Sequence, residues 1–384
     1  MRVIDLTNDW GPAGPTVGMF TRFPPSTSGS AWPASVLVDE LSRLHGIPVD
    51  VIRLVLPGEP VSGSFPVIMD LNPRWQMSAP LAAQRANRCD VALILIDRHI
   101  PLKLMEEFVS ELSVPVVLAV DEVGAKGSAH ASALARLAEK VAVVVVPSEV
   151  AKRRLEATVS PETRIEVIPH GSSFQPMEPR AEPRRNILTW GFMAPGVGAE
   201  RVIRALPLLQ DLDPPLRYRL VGVSDPGWTQ PDATVYRADL ESEAERLGVA
   251  DQVELVPILH SSERMASEIE KSDLLVVAYD ETDRSASRIL CEALSTGRPV
   301  IATAFPGAIE MLSSGAGITV AHDSPRDMAD AIRRYLTDDF EDRRASSVAA
   351  ALSPGFSWGE TASRYAELIR DMAEKAEVVE ETSS

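Results

Sequence analysis

Short apolar runs rich in β-branched residues alternate with amphipathic stretches along the chain, the pattern of parallel sheets covered by helices. In the first half Val3–Leu6, Val49–Val55, Val91–Ile96, Val114–Val120 and Val141–Val146 read as strands. The last three are almost continuously apolar, as strands buried on both faces are. Helices fit at Pro33–His45, Leu102–Leu112, Ser128–Lys140 and Ser148–Thr158, and Arg164–Ile168 reads as a further strand. A proline-rich polar stretch from Pro169 to Arg185 then lacks apolar periodicity and reads as a linker.

The pattern restarts with strands at Asn186–Trp190, Tyr218–Val223, Val253–Val256, Leu274–Ala278, Pro299–Thr303 and Gly317–Val320. Helices fit at Ala199–Leu209, Asp239–Leu247, Ser262–Lys271, Ser287–Ser295 and Arg326–Leu336. Trp358–Lys375 puts Ala362, Tyr365, Leu368, Ile369 and Met372 on one helical face, and the acidic tail from Glu377 to Ser384 reads as frayed. The expectation is α/β with two Rossmann-like, doubly wound parallel-sheet domains. They occupy residues 1–171 and 186–355, joined by a linker at 172–185, and residues 356–384 form a terminal helix returning to the first domain and an acidic tail.

A chain of 384 residues exceeds one ordinary core, which agrees with two domains. Its 45% hydrophobic and 24% charged residues are those of a soluble globular protein. The net charge of −17 argues against a nucleic-acid or anionic-membrane partner, so an anionic ligand needs a local cluster of donors. The two cysteines, Cys89 and Cys291, each adjoin an apolar segment and read as reduced core thiols rather than a disulfide or metal site. The first residues enter a strand-like run without a signal-peptide pattern, and no apolar run approaches the ~18 residues of a membrane span. A cytoplasmic location is expected; the oligomeric state is not set by these features.

Doubly wound sheets bind ligands beyond the carboxyl ends of their strands, which selects the loops entering helices. The first, Asn8–Gly18 with Ser26–Ser30, offers Gly29 and Ser30 near a helix start, either as backbone donors to a phosphate or sugar oxygen or as an ordinary loop. The second, Trp190–Gly198, follows a strand and opens a helix, although its glycine spacing matches neither the dinucleotide fingerprint nor the P-loop. The third, Tyr279–Arg288, surrounds a helix start with two arginines and several hydroxyls.

Four ordered motifs carry a resemblance. Ile289-Leu-Cys-Glu-Ala-Leu-Ser-Thr-Gly-Arg-Pro-Val-Ile-Ala-Thr303 resembles the "LEAxxxGxPVVAT" signature of glycosyltransferase family 4. Val167–Gly171 resembles its "IPHG", Thr189–Pro207 its "FGxxxPxKGxxxxIxALP", and Phe23–Ser30 its first glycine loop. The resemblance implies the GT-B architecture and a retaining, metal-independent transferase whose second domain holds a nucleotide-sugar and whose first holds most of a small-molecule acceptor. No separate cofactor is implied, and the base is left open. Glu292 would then bond ribose or sugar hydroxyls, and Gly29, Ser30 and Gly191–Gly198 would line the diphosphate. His170 would sit near the cleft. Val223, which closes its strand, and Ser287, at its helix start, are further donor-side candidates.

Departures from the pattern are specific. Phe192 and Val197 stand where the family has an arginine and a lysine for the diphosphate, Arg284 stands at the first acid of its E-x7-E pair, and Asp121 replaces a first-domain histidine. Buried phosphate charge without partners costs several kcal/mol or more. Arg284 and Arg288 are therefore the candidate replacements, the alternative being surface pairing with Asp280, Glu281 or Asp283. In the first half Asp121, Asp97 and His99 follow buried strands and are candidate acid–base or orienting groups, with helix capping as the alternative for the carboxylates. Sugar transfer from a nucleoside-diphosphate sugar is the leading expectation. A pseudo-glycosyltransferase or non-catalytic binding member is the runner-up, and a nucleotide-sugar epimerase the third reading.

Overall fold

The computed structural model describes residues 14–26, 30–55, 67–71, 78–97, 100–125, 127–178, 183–223, 230–257 and 262–383. The chain divides into two compact units. The first comprises residues 1–146, 154–168 and 361–384; the second comprises 147–153 and 169–360.

The first unit is built from β1 (Val17–Thr21), α1 (Ala31–His45), β2 (Val49–Leu54), β3 (Met69–Leu71), α2 (Ser78–Ala86), β4 (Val91–Ile96), α3 (Leu102–Ser110), β5 (Val116–Val120), α4 (Ala129–Ala138), β6 (Val143–Val146) and β7 (Ile165–Val167); α5 (Glu149–Glu156), between β6 and β7, groups with the second unit as far as Arg153. Its seven strands pair in parallel in the order β3-β2-β1-β4-β5-β6-β7. The valine run of β6 is buried throughout, because helices cover both faces of a parallel sheet. The expected strand Val3–Leu6 lies outside the described residues. Val17–Thr21, expected to be loop as far as Gly18, is instead the central strand β1, paired with Val49–Arg53 and with Val91–Ile94.

The second unit continues with β8 (Asn186–Phe192), α6 (Ala199–Ala205), β9 (Arg217–Val223), α7 (Gln230–Arg246), β10 (Val253–Pro257), α8 (Ser262–Glu270), β11 (Leu274–Val277), α9 (Arg288–Ser295), β12 (Val300–Thr303), α10 (Pro306–Leu312), β13 (Gly317–Val320), α11 (Pro325–Thr337), α12 (Asp339–Leu352) and α13 (Trp358–Ser383). Six parallel strands run in the order β10-β9-β8-β11-β12-β13. Tyr218, Leu220, Leu274 and Val276 pack into a core with Val202, Ile203, Ile332 and Tyr335 of the covering helices.

α13 begins in the second unit, and its residues from Thr361 onward group with the first. There Arg364 Nη2 donates to the Val167 carbonyl at 2.5 Å, and Arg164 Nη1 pairs with Asp371 at 2.5 Å. Helix continues to Ser383, into the stretch expected to fray, and no glycine or proline follows Gly359 to interrupt it. No helix among the described residues is long and apolar enough to cross a membrane.

Candidate functional site

In the second unit β8 and β11 are neighbours at the point where the strand order reverses, so the loops leaving them flank the crevice where such sheets receive ligands. The first loop begins at Met193 rather than Trp190, because β8 runs on through Gly191 and Phe192. Gly191 pairs with Gly222 of β9, whose missing side chain makes this possible: a Cβ at Gly222 would lie 2.0 Å from the Gly191 carbonyl oxygen. Gly198, at φ 77°, precedes α6, and a Cβ there would stand 1.6 Å from the Ala278 carbonyl oxygen. The Asp280 N–H also donates to the Gly196 carbonyl at 3.0 Å. The two switch-point loops are thus joined backbone to backbone, and Gly198 is required for that approach.

The loop after β11 leads into α9. Ser287 caps this helix, its Oγ accepting from the Leu290 N–H at 3.1 Å, and lies 3.4 Å from the Tyr279 hydroxyl. Ser285 is only 1% exposed and its Oγ has no partner among the described residues, while its carbonyl accepts from Ser148 Oγ at 2.8 Å. Arg284 pairs with Glu281 at 2.8 Å, one of the acids anticipated as an alternative partner, and its guanidinium carbon lies 4.4 Å from the Tyr279 ring centroid. The pair leaves Arg284 Nε buried without a hydrogen bond.

One turn into α9, the Glu292 side chain is 20% exposed. Trp190 Nε1 donates to its Oε2 at 3.2 Å, and Arg288 Nε lies 3.6 Å from Oε1. Burial raises the carboxyl pKa above its ordinary value, opposed by the Arg288 charge and the indole hydrogen bond. The imidazole of His170 is pushed down to about 3, by burial first and then by the charges of Arg288 and Arg284. It is therefore neutral at physiological pH. The Cys291 thiol, beside the His170 backbone, is pushed up to about 12, mainly by burial, and both cysteines are free and buried. His170, Arg284, Arg288, Ser287 and Glu292 thus gather around one helix start, whereas nothing is described of the side chain of Val223, the last residue of β9.

Phe192 and Val197, on and just after β8, are partly buried. Val197 rests against the core of the second unit. The arginine one turn further on, Arg201, is committed elsewhere. It pairs with Asp280, with Asp323 at 3.3 Å and with Glu200 at 3.4 Å, and donates to the His322 carbonyl at 2.5 Å.

In the first unit the order reverses between β1 and β4. Ser30 precedes α1, but its hydroxyl makes no cap; it donates to Asp97 Oδ2 at 2.6 Å. Arg22, directly after β1, approaches the same oxygen at 3.6 Å, and the side chains are 8% and 10% exposed for Arg22 and Asp97. Asp121 follows β5, is exposed, and its N–H donates to the Ile96 carbonyl; its charge, after burial, raises the pKa of Tyr365. Gly29 and His99 lie outside the described residues. Arg22 joins the picture only in three dimensions, as do the Trp190 contact with Glu292 and the burial of Ser285; Arg22 would have stood out had Val17–Thr21 been read as a strand.

Residues 184–338 match the family of glycosyl transferases group 1. Trp190, Arg284, Arg288 and Glu292 fall inside that match, and His170 precedes it. A D-inositol 3-phosphate glycosyltransferase of Streptomyces griseus is 31% identical over 185 residues, 46% of this chain and 37% of the relative. One of Nocardioides is 32% identical over 194 residues, 48% of this chain and 41% of the relative. The matched stretch thus spans well under half the length of these relatives. Among solved structures, sucrose-phosphate synthase from Thermosynechococcus elongatus aligns with a TM-score of 0.72 at 18% identity, over 93% of this chain and 99% of that one. Anabaena HepE in complex with UDP aligns with a TM-score of 0.70 at 15% identity, over 93% and 100%. With the two parallel sheets, these likenesses identify the fold as GT-B.

Proposed function

We propose that the chain is a glycosyltransferase that moves a sugar, with retention, from a nucleoside-diphosphate sugar on the second unit to a small-molecule acceptor on the first. The observation that carries this reading is the convergence of Arg284, Arg288 and the buried, unpartnered Ser285 hydroxyl at the start of α9, with Glu292 one turn on. A helix N-terminus with two guanidinium groups suits a diphosphate, and a carboxylate suits vicinal hydroxyls. When the bond between the anomeric carbon and the diphosphate oxygen breaks, negative charge gathers on the leaving phosphate, where these donors stabilise it. Arg284 would exchange its Glu281 contact for phosphate, and Arg288 would serve phosphate and Glu292 together. Neutral His170 would complete the donor set, and Gly191, Gly198 and Ser287 would form its backbone frame. Asp97, Ser30 and Asp121 remain the acceptor-side candidates on the first unit. Support for the ligand class comes from the likeness to HepE, solved with UDP and with UDP-glucose, and to relatives named for glycosyl transfer.

Calorimetry with UDP and with uridine tests the reading. Arg284→Ala or Arg288→Ala should weaken UDP by about tenfold or more, the scale of a charge-assisted hydrogen bond, and leave uridine unchanged. Equal losses for both ligands, no loss in either variant, or no binding of UDP, ADP or GDP by the unmodified protein would each refute it.

A further inference from the structure

Trp190 and Glu292 stand 102 positions apart, on β8 and α9, and meet through one hydrogen bond of 3.2 Å. The indole is 4% exposed and packs in a cluster with Leu188, Val221, Val277 and Leu290, so packing sets the direction of its N–H. An indole N–H only donates, so it can hold a carboxylate oxygen but cannot accept a proton from it. Arg288 lies 3.6 Å from the other oxygen. A carboxylate has about four lone-pair directions, so with one taken by Trp190 and one facing Arg288 the remainder are free for two hydroxyl donors.

We infer that Trp190 is a positioning residue for recognition of a vicinal diol on the donor: its N–H fixes the Glu292 carboxylate in the pose that accepts two neighbouring hydroxyls of a ribose or hexose. The inference rests on the reading that the second unit binds a nucleotide-sugar. Without the N–H, a partly buried carboxylate loses one of the two groups that offset its desolvation, turns to find another donor, and no longer presents its free lone pairs as a fixed pair.

Two changes remove the donor. Trp190→Phe keeps an aromatic ring in the cluster, and benzothienylalanine incorporated at position 190 keeps the bicyclic shape while replacing the N–H by sulfur. Either should weaken UDP-glucose by about tenfold, as for loss of a hydrogen bond to a charged group, mainly in KM with kcat less affected. In a Glu292→Gln background the same changes should add little, because the two residues act as a unit. Independently of ligand, the Trp190 indole N–H resonance in protein labelled with 15N-tryptophan should move with pH as Glu292 titrates, and that titration should vanish in Glu292→Gln. Additive losses, a benzothienylalanine protein with unchanged KM, or an indole signal that ignores pH would overturn the inference. Absence of binding of UDP, ADP and GDP and their glucose derivatives by the unmodified protein would overturn the donor-site reading and this inference with it, whereas binding that survives loss of the N–H would overturn this inference alone.

Discussion

Acid sensitivity of the second unit should trace to His170. An unfolded chain protonates this imidazole as pH falls through its ordinary value of 6.5, whereas the folded protein holds it neutral until about 3. The unfolded state therefore takes up the proton first. Stability is fully present above 6.5 and is lost as pH falls from there toward 3. Linkage across that gap costs about 2 kcal/mol at pH 5 relative to pH 8, equivalent to roughly 4–8 °C in Tm for a unit of this size. His170→Asn and His170→Gln lose the native contacts at every pH but lack the titration, so their Tm should fall less steeply between pH 8 and pH 5 than that of the unmodified protein. Arg288→Ala, which removes the larger of the two repelling charges, should give an intermediate slope. Scanning calorimetry across this range is the assay, with the His170 ring titration by NMR as a direct check. Parallel Tm profiles for all four proteins, or an imidazole that titrates near 6.5 in the folded state, would refute the reasoning.

Two further outcomes follow from the frame of the site. Gly198→Ala forces a methyl group to within 1.6 Å of the Ala278 carbonyl oxygen at a left-handed φ, so it should destabilise the second unit by more than about 4 kcal/mol, or prevent its folding, as read by urea denaturation. Glu310 accepts from the Glu149 and Val150 N–H groups at 3.0 and 2.7 Å, acting as a distant cap for α5. Glu310→Ala should cost about 1–2 kcal/mol and speed amide exchange at those two positions selectively; unchanged exchange would show that the cap contributes nothing.

The parallel sheets were readable in the sequence because strands buried on both faces leave continuous apolar runs: Val91–Ile96 occupies the residues the pattern predicts. The start of α9 was equally legible, since Ser287, Arg288 and Glu292 share one local helix whose cap is set by neighbours in sequence. Elements with weak local pattern escaped. Val17–Thr21 contains a glycine and runs into Pro24 and Pro25, so Val17 and Gly18 read as the end of a loop, yet the segment is central to its sheet. The three-residue β3 and the alanine- and serine-rich α12 carry too little periodicity to stand out, and α7 begins at Gln230, well before the expected Asp239. Tertiary structure alone decided what meets what. The β8–β9 register sets Gly222 against Gly191, and the placement of α9 beside β8 brings Glu292 under the Trp190 N–H. Similarly, the adjacency of β1 and β4 gathers Arg22, Ser30 and Asp97. Periodicity reports only which face of an element is buried; strand order and register select the distant partner that this face finds.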